Sequence, residues 1–416
     1  VLVAALGPCA CGSPLDAGLP PARPGSDPAP PLAGWAAAGL TAFLDASAAL
    51  GLQSGYVALF ARDGQVVYAT AAGHADRESD RAMGLDTRFR LASMTKPVTA
   101  AAAMILVEEG RLGLDDAVAR FVPAAAGLRV ATGSDPRGAI ETVPLQRPLT
   151  VRDLLTFRSG IGAEDDPSAL GRVWAANDIY AGTGTLAERV DRILQAPLYE
   201  QPGMRWRYGW SADVLARVVE VAAGEPFDRF LARRIFEPLG MGSTGFLSAE
   251  APEGASDDLA TMYTQDEDGD LVRVPVPASD ALDWTPGGSG LVSTAGDYLR
   301  FALMLWNGGR YDGARILAPG AVAEMTRAHV SSGVLEDQGI QGLGWGFGLA
   351  VVVDAEATPT IDRDGDFWWS GYYGTTFFVS PSTGLVGVVL TQNQPGPHSP
   401  RPYPVYLAQA FAFAGL

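Results

Sequence analysis

Ser93-Met94-Thr95-Lys96 is the stretch whose residue types and spacing best suit nucleophilic chemistry. A serine hydroxyl is a weak nucleophile unless a base sits within hydrogen-bond reach. Residues three apart on a helix share a face, so Ser93 and Lys96 can touch. An amine acts as that base when burial disfavours its charge, whereas a guanidinium keeps its proton. Of the 30 basic residues, 29 are Arg, and Lys96 is the sole Lys. A codon bias toward Arg would leave one Lys by chance. A position that needs a titratable amine would keep one by necessity. Lys96 opens an almost wholly apolar run, Val98 to Val107, where a merely solvating Lys has no business. Ser93 then lies at a helix N-terminus, which favours developing negative charge. Pro97 is tolerable there because first-turn N–H groups have no intrahelical partner.

Two further stretches carry polar groups suited to such a site. In Pro202-Gly203-Met204-Arg205-Trp206-Arg207-Tyr208-Gly209-Trp210-Ser211, Tyr208 precedes a helical run for which Ser211 is the expected N-cap. A phenol near an ammonium loses its proton more easily, so Tyr208 suits a general base or proton relay. The plainer reading is a half-buried aromatic with a satisfied hydroxyl. In Trp368-Trp369-Ser370-Gly371-Tyr372-Tyr373-Gly374, small residues at a strand edge bring a backbone N–H close to a substrate carbonyl. The plainer reading there is a Gly-rich turn.

Together these motifs resemble the serine β-lactamase and penicillin-binding-protein superfamily, over about residues 35 to 412. Ser93-Met94-Thr95-Lys96 matches its first motif. Tyr208-Gly209-Trp210 stands where class C enzymes have Tyr-x-Asn, and Trp369-Ser370-Gly371 where they have Lys-Thr-Gly. Leu149 to Thr156, Phe236 to Met241 and Gly288 to Thr294 look like the same superfamily. The closest likeness is to family VIII carboxylesterases, through Arg205 to Tyr208 followed by Asp213-Val214-Leu215. The resemblance implies Ser93, Lys96 and Tyr208 as catalytic residues. It also implies an oxyanion hole from the N–H groups of Ser93 and Tyr372. Trp210, Trp369, Ser370, Gly371 and Tyr373 are then expected to bind substrate.

The departures from the pattern bear on substrate. Trp369 replaces the Lys that holds a substrate carboxylate, and Trp210 replaces the Asn that binds a side-chain amide. Aromatic surface in both places suits a neutral, apolar acyl or alcohol group. The expected activity is cleavage of short to medium acyl esters through a Ser93 acyl-enzyme, with acyl transfer to alcohols as a side activity. The alternatives are a β-lactamase or D-amino-acid peptidase, and a non-catalytic penicillin-binding-like sensor.

Strands must position these residues at both ends of the chain. Tyr56 to Phe60 and Val66 to Thr70 flank Asp63-Gly64, a hairpin signal. Thr376 to Val379 and Val386 to Leu390 flank Pro381 to Gly384. Helical runs at 98–109, 151–157, 186–195, 211–222 and 295–307 lie between. The pattern predicts an α/β (α+β) fold of the class C β-lactamase type. Residues 35–95 and 285–416 form its α/β domain around an antiparallel sheet. Residues 96–284 form an inserted, mainly helical domain. The aperiodic stretch 162–182 is expected as a loop over the pocket, with Trp174 and Tyr180 touching substrate.

The remaining signals narrow the function class. With 47 acidic residues against 30 basic, the net charge is −17, which argues against nucleic acid as a partner. The expected partner is a small-molecule ester. Mean hydropathy is +0.10, without an apolar run long enough to span a membrane. His74, His329 and His398 sit in no Gly-x-Ser-x-Gly setting, which disfavours a Ser-His-Asp hydrolase. No His/Cys cluster has metal spacing, so neither cofactor nor metal is expected. Asp266 to Asp270 and Asp362 to Asp366 read as solvated turns. Residues 1–11 read as the remnant of an export or lipoprotein signal, with Cys9 a candidate lipid anchor and a periplasmic, anchored or extracellular location implied; the alternative is a plain hydrophobic start and a cytoplasmic location. Residues 12–34 read as a flexible Pro/Ala/Gly tether.

Overall fold

The computed structural model describes residues 29–415 apart from 136–138, 164–166, 178–183, 248–257, 276–282, 337–338, 359 and 397–402. The signal and anchor reading at residues 1–11, and Tyr180, lie outside the described residues.

Helix α1 (Gly34–Ala49) is followed by β1 (Gly55–Arg62), β2 (Gln65–Asp76) and β3 (Arg81–Ala82). The sheet continues far along the chain with β4 (Leu343–Trp345), β5 (Ala350–Val352), β6 (Phe367–Ser370), β7 (Thr376–Ser380) and β8 (Leu385–Leu390). The eight strands run in the order β4-β5-β6-β7-β8-β1-β2-β3, all antiparallel. Asp63 and Gly64 take φ of 51° and 83°, the left-handed pair that a two-residue hairpin between β1 and β2 requires. β1 pairs with β8 from Val57 opposite Leu390 to Arg62 opposite Leu385, which ties the two chain ends together.

Alternation along β1 decides the layers. Tyr56, Ala58 and Phe60 face a cluster with Leu40 and Leu44 of α1 and Ala408, Ala412 and Phe413 of the terminal helix Tyr403–Ala414. Val57, Leu59 and Ala61 face the main core. That core is covered by α2 (Thr95–Glu108) and by the helix Ala295–Trp306, capped by Thr294. It runs on into α3 (Val151–Leu155), α4 (Ala169–Ala176), α5 (Leu186–Ile193) and α6 (Ser211–Ala223). The boundary drawn from sequence between residues 95 and 96 therefore falls at the first residues of α2, inside a continuous apolar core. Among the described residues no helix is long and apolar enough to cross a membrane.

Three local expectations need correction. The stretch 162–182 contains a helix, α4, because Ser168 caps it through the Gly171 N–H and Leu170 and Trp174 give it an apolar face. Ser211 is the first residue of α6 rather than its cap. Its hydroxyl pairs with Ser159 at 2.7 Å, both side chains being fully buried. The turn at 362–366 is solvated only at Asp364 and Gly365. Asp366 is 2% exposed, and Asp362 accepts a bond from Gln409 of the terminal helix.

Candidate active site

Ser93 sits in a 3₁₀ turn (Ala92–Met94) that runs directly into α2. Ala92, the residue before it, has φ of 46°, a left-handed conformation unfavourable for a residue with a Cβ. Neighbours on all sides hold that strained turn. Leu91 donates its N–H to Leu291 O at 2.8 Å and accepts from Thr375 Oγ1 at 3.0 Å. Met94 O accepts from the buried Tyr298 hydroxyl at 2.8 Å. The turn aims a half-buried Ser93 into the site, while the apolar face of α2 anchors the helix below.

Lys96 is 5% exposed. Its Nζ donates to Ser93 Oγ at 3.0 Å and to Gly288 O at 2.7 Å. The same nitrogen lies over the Tyr208 ring, 4.7 Å from its centroid. Thus Tyr208, more than a hundred residues further along the chain, meets the Ser93–Lys96 pair.

Tyr208 is held by its ring and by its flanking backbone. It stacks on Phe157 at 5.5 Å and tilts against Trp369 at 5.6 Å. Phe157 follows α3 with φ of 54°, and its carbonyl accepts the Arg207 N–H at 2.8 Å. Helix α3 is itself fixed by a reciprocal Thr150/Asp153 cap, with Arg147 clamped on both Asp153 oxygens. On the other side of Tyr208, a Cβ on Gly209 would lie 2.4 Å from Gly162 O, so only glycine allows this approach.

The loop after β6 closes the third side. Gly371 passes so close to the nucleophile turn that a Cβ there would lie 2.2 Å from Leu91 O. Ser370 and Tyr373 are half-buried beside it, and the Tyr372 side chain is 54% exposed. Trp369 is half-buried. It meets Trp345 edge-on at 4.6 Å, and Trp345 meets Trp206 at 5.3 Å. Tyr208 and the half-buried Trp369 are the accessible rings of this aromatic wall beside the Ser93–Lys96 pair, and the buried Phe157, Trp345 and Trp206 back them from the core.

Trp210 is almost wholly buried. It is 6% exposed and packs on Trp174 at 5.6 Å, while Trp174 is fully buried and also stacks on Tyr199. The expectation that Trp174 touches substrate is overturned, because its whole surface is used in packing. Trp210 can present only its small exposed edge to a ligand.

The chain matches the family model described as Beta-lactamase over residues 40–411. It belongs to the Beta-lactamase family. Among relatives, Esterase EstB of Burkholderia gladioli is 35% identical over 378 residues, covering 85% of this chain and 91% of EstB. Penicillin-binding protein 4 of Amycolatopsis lactamdurans is 32% identical, covering 77% and 76%. Among solved structures, EstCE1, a hydrolase with promiscuous acyltransferase activity, superposes with a TM-score of 0.78 at 29% identity. The match covers 91% of this chain and 98% of EstCE1.

Within this Beta-lactamase-family site, one group escaped the sequence reading. Asp213, in the first turn of α6, is 2% exposed and accepts the Gly288 N–H at 3.0 Å. Burial pushes its carboxyl up to about 6, with the Lys96 charge and backbone N–H groups from Gly288, its own residue and Gly287 opposing. The signal was present as a lone acid among Ala212, Val214 and Leu215, but nothing local says that Gly288 covers it. Phe157 and Trp345 were missed for the same reason, since their role exists only through their partners.

Proposed function

We propose that this protein is a serine carboxylesterase that forms its acyl-enzyme on Ser93. The observation that carries the reading is the 3.0 Å contact between Ser93 Oγ and the buried Lys96 Nζ, set against an aromatic wall. Lys96 and Tyr208 take the Ser93 proton as Oγ attacks the ester carbonyl. The backbone N–H groups of Ser93 and Tyr372 stabilise the oxyanion. The alkoxide then leaves with the proton that Ser93 gave up, and water adds to the acyl carbon to regenerate the hydroxyl. An apolar alcohol can take the place of water, which makes acyl transfer a side activity. EstB is named an esterase and EstCE1 a hydrolase with acyltransferase activity, in keeping with this reading.

The aromatic wall favours neutral esters over β-lactams. The Trp369 side chain offers no charge to a carboxylate, and it is held against Trp345 and Tyr208. The test is parallel turnover of p-nitrophenyl butyrate and nitrocefin, with Ser93→Ala as control. Fast ester cleavage with little nitrocefin cleavage, both lost in the variant, is expected. Nitrocefin turnover rivalling ester turnover would overturn the substrate assignment.

A further inference from the structure

The loop at Gly287–Gly288 bridges the two helices that flank the site. The peptide between these glycines is held from both sides: Thr99 Oγ1 of α2 donates to Gly287 O at 2.7 Å, and Asp213 of α6 accepts from Gly288 N at 3.0 Å. The next carbonyl, Gly288 O, accepts from Lys96. The fit leaves no room for side chains. A Cβ on Gly287 would lie 2.4 Å from Ala212 O, and one on Gly288 would lie 2.7 Å from Asp213 Oδ2. A buried carboxylate is costly, and an Asn would keep an acceptor for the Gly288 N–H without that charge. The charge therefore needs a reason, and the charged group that acts on it is Lys96. From the loop and from α6, the backbone N–H groups of Gly288, Asp213 itself and Gly287 also favour the ionised form of Asp213.

We propose that Asp213 is a positioning residue for Lys96, setting the Gly288 carbonyl against the amine and stabilising the ammonium that forms when Ser93 gives up its proton. This rests on the reading of Ser93 and Lys96 given above. The proton passes from Ser93 Oγ to Lys96 Nζ as the new C–O bond forms, and on to the departing alkoxide as the ester bond breaks. Ionised Asp213 favours the intermediate state, and protonated Asp213 does not.

Asp213→Asn keeps the shape and an acceptor for Gly288 but removes the charge. At pH 8 its kcat is expected to fall about tenfold, the effect of roughly one pK unit of charge interaction, with KM within about twofold of the parent. The parent's kcat/KM is expected to decline as Asp213 protonates near 6, a step absent from the variant. Because Lys96 is the sole Lys, ¹⁵N-lysine labelling gives a single side-chain resonance. That resonance should shift near pH 6 in the parent protein and lose the shift in Asp213→Asn. Retention of parental kcat by a folded variant, or loss of activity with an unchanged lysine titration, would overturn the proposal. If the variant fails to fold, the parent's resonance still decides, since a flat trace through pH 6 refutes the coupling. Absence of ester turnover by the parent would instead refute the esterase reading, while the lysine titration would still report on Asp213.

Discussion

At the scale of single residues, the site turns on which groups can move a proton. Lys96 contacts the Ser93 hydroxyl, a carbonyl and the Tyr208 ring at once, so its geometry is over-determined. Lys96→Arg installs a cation that cannot shed its proton, and the longer planar head does not fit a 5% exposed niche. Ester turnover is expected to fall almost as far as in Ser93→Ala, on the order of 10⁴-fold or more. Steady-state assays on p-nitrophenyl butyrate check this, and substantial activity in Lys96→Arg would refute the titratable-amine argument. Tyr208→Phe preserves the stacking on Phe157 and Trp369 and removes only the hydroxyl. We expect kcat to drop by about 10²-fold or more with KM and melting temperature little changed. A large rise in KM with kcat intact would recast Tyr208 as a binding residue.

At the scale of elements, three segments from distant parts of the chain are locked by backbone approaches. Gly371 is the tightest, with Leu91 O and Thr375 Oγ1 each 2.2 Å from where a Cβ would stand. In Gly371→Ala either the loop after β6 or the turn at Ala92–Met94 must move. A displacement of about 1 Å at a reacting group costs roughly 10²-fold in rate. The expected outcome is a folded protein with a lowered kcat and slower fluorophosphonate labelling of Ser93. Parental labelling would mean that the two segments give way without consequence. The strained φ at Ala92 and Phe157 belongs to the same scale, since each sits beside a reacting side chain and is held by bonds from other elements.

At the scale of the whole molecule, the turn at 362–366 docks the terminal helix onto the sheet, and it carries a pH signature. Arg363 lies over the Phe413 ring at 4.4 Å, and Asp362 holds Gln409. Burial pushes the Asp366 carboxyl up to about 6, and its Oδ1 has no hydrogen-bond partner among the described residues. The folded form thus keeps a proton that the unfolded chain releases near 4. The contribution of Asp366 to stability therefore declines as pH rises from about 4 to about 6 and levels off above. The Asp213 carboxyl acts in the same direction. Asp76 acts oppositely. The Thr261 hydroxyl holds it down to about 2, so its contribution is lost only as pH falls from about 4 through 2. Asp366→Asn is expected to gain about 2–3 kcal/mol at pH 8 and much less at pH 4. Denaturant melts at both pH values check it, and an equal gain at both would rule out the titration argument.

The sequence by itself determined the pairing of Ser93 with Lys96, the two hairpins and most helix positions. Each of these follows from residue spacing, apolar periodicity or turn chemistry within a few residues. The pairing of β1 with β8, the aromatic wall and the Asp213–Gly288–Lys96 chain were decided only by the tertiary structure. Trp210 and Trp174 show why. Both are aromatic residues in or beside the segments that meet at the site, and a linear pattern cannot tell a wall of the pocket from the core behind it. Asp213 shows the converse, because an acid in an apolar helical run looks misplaced until the loop that covers it is in view. Burial and long-range contact depend on which distant segments meet, and local propensity carries no information about that.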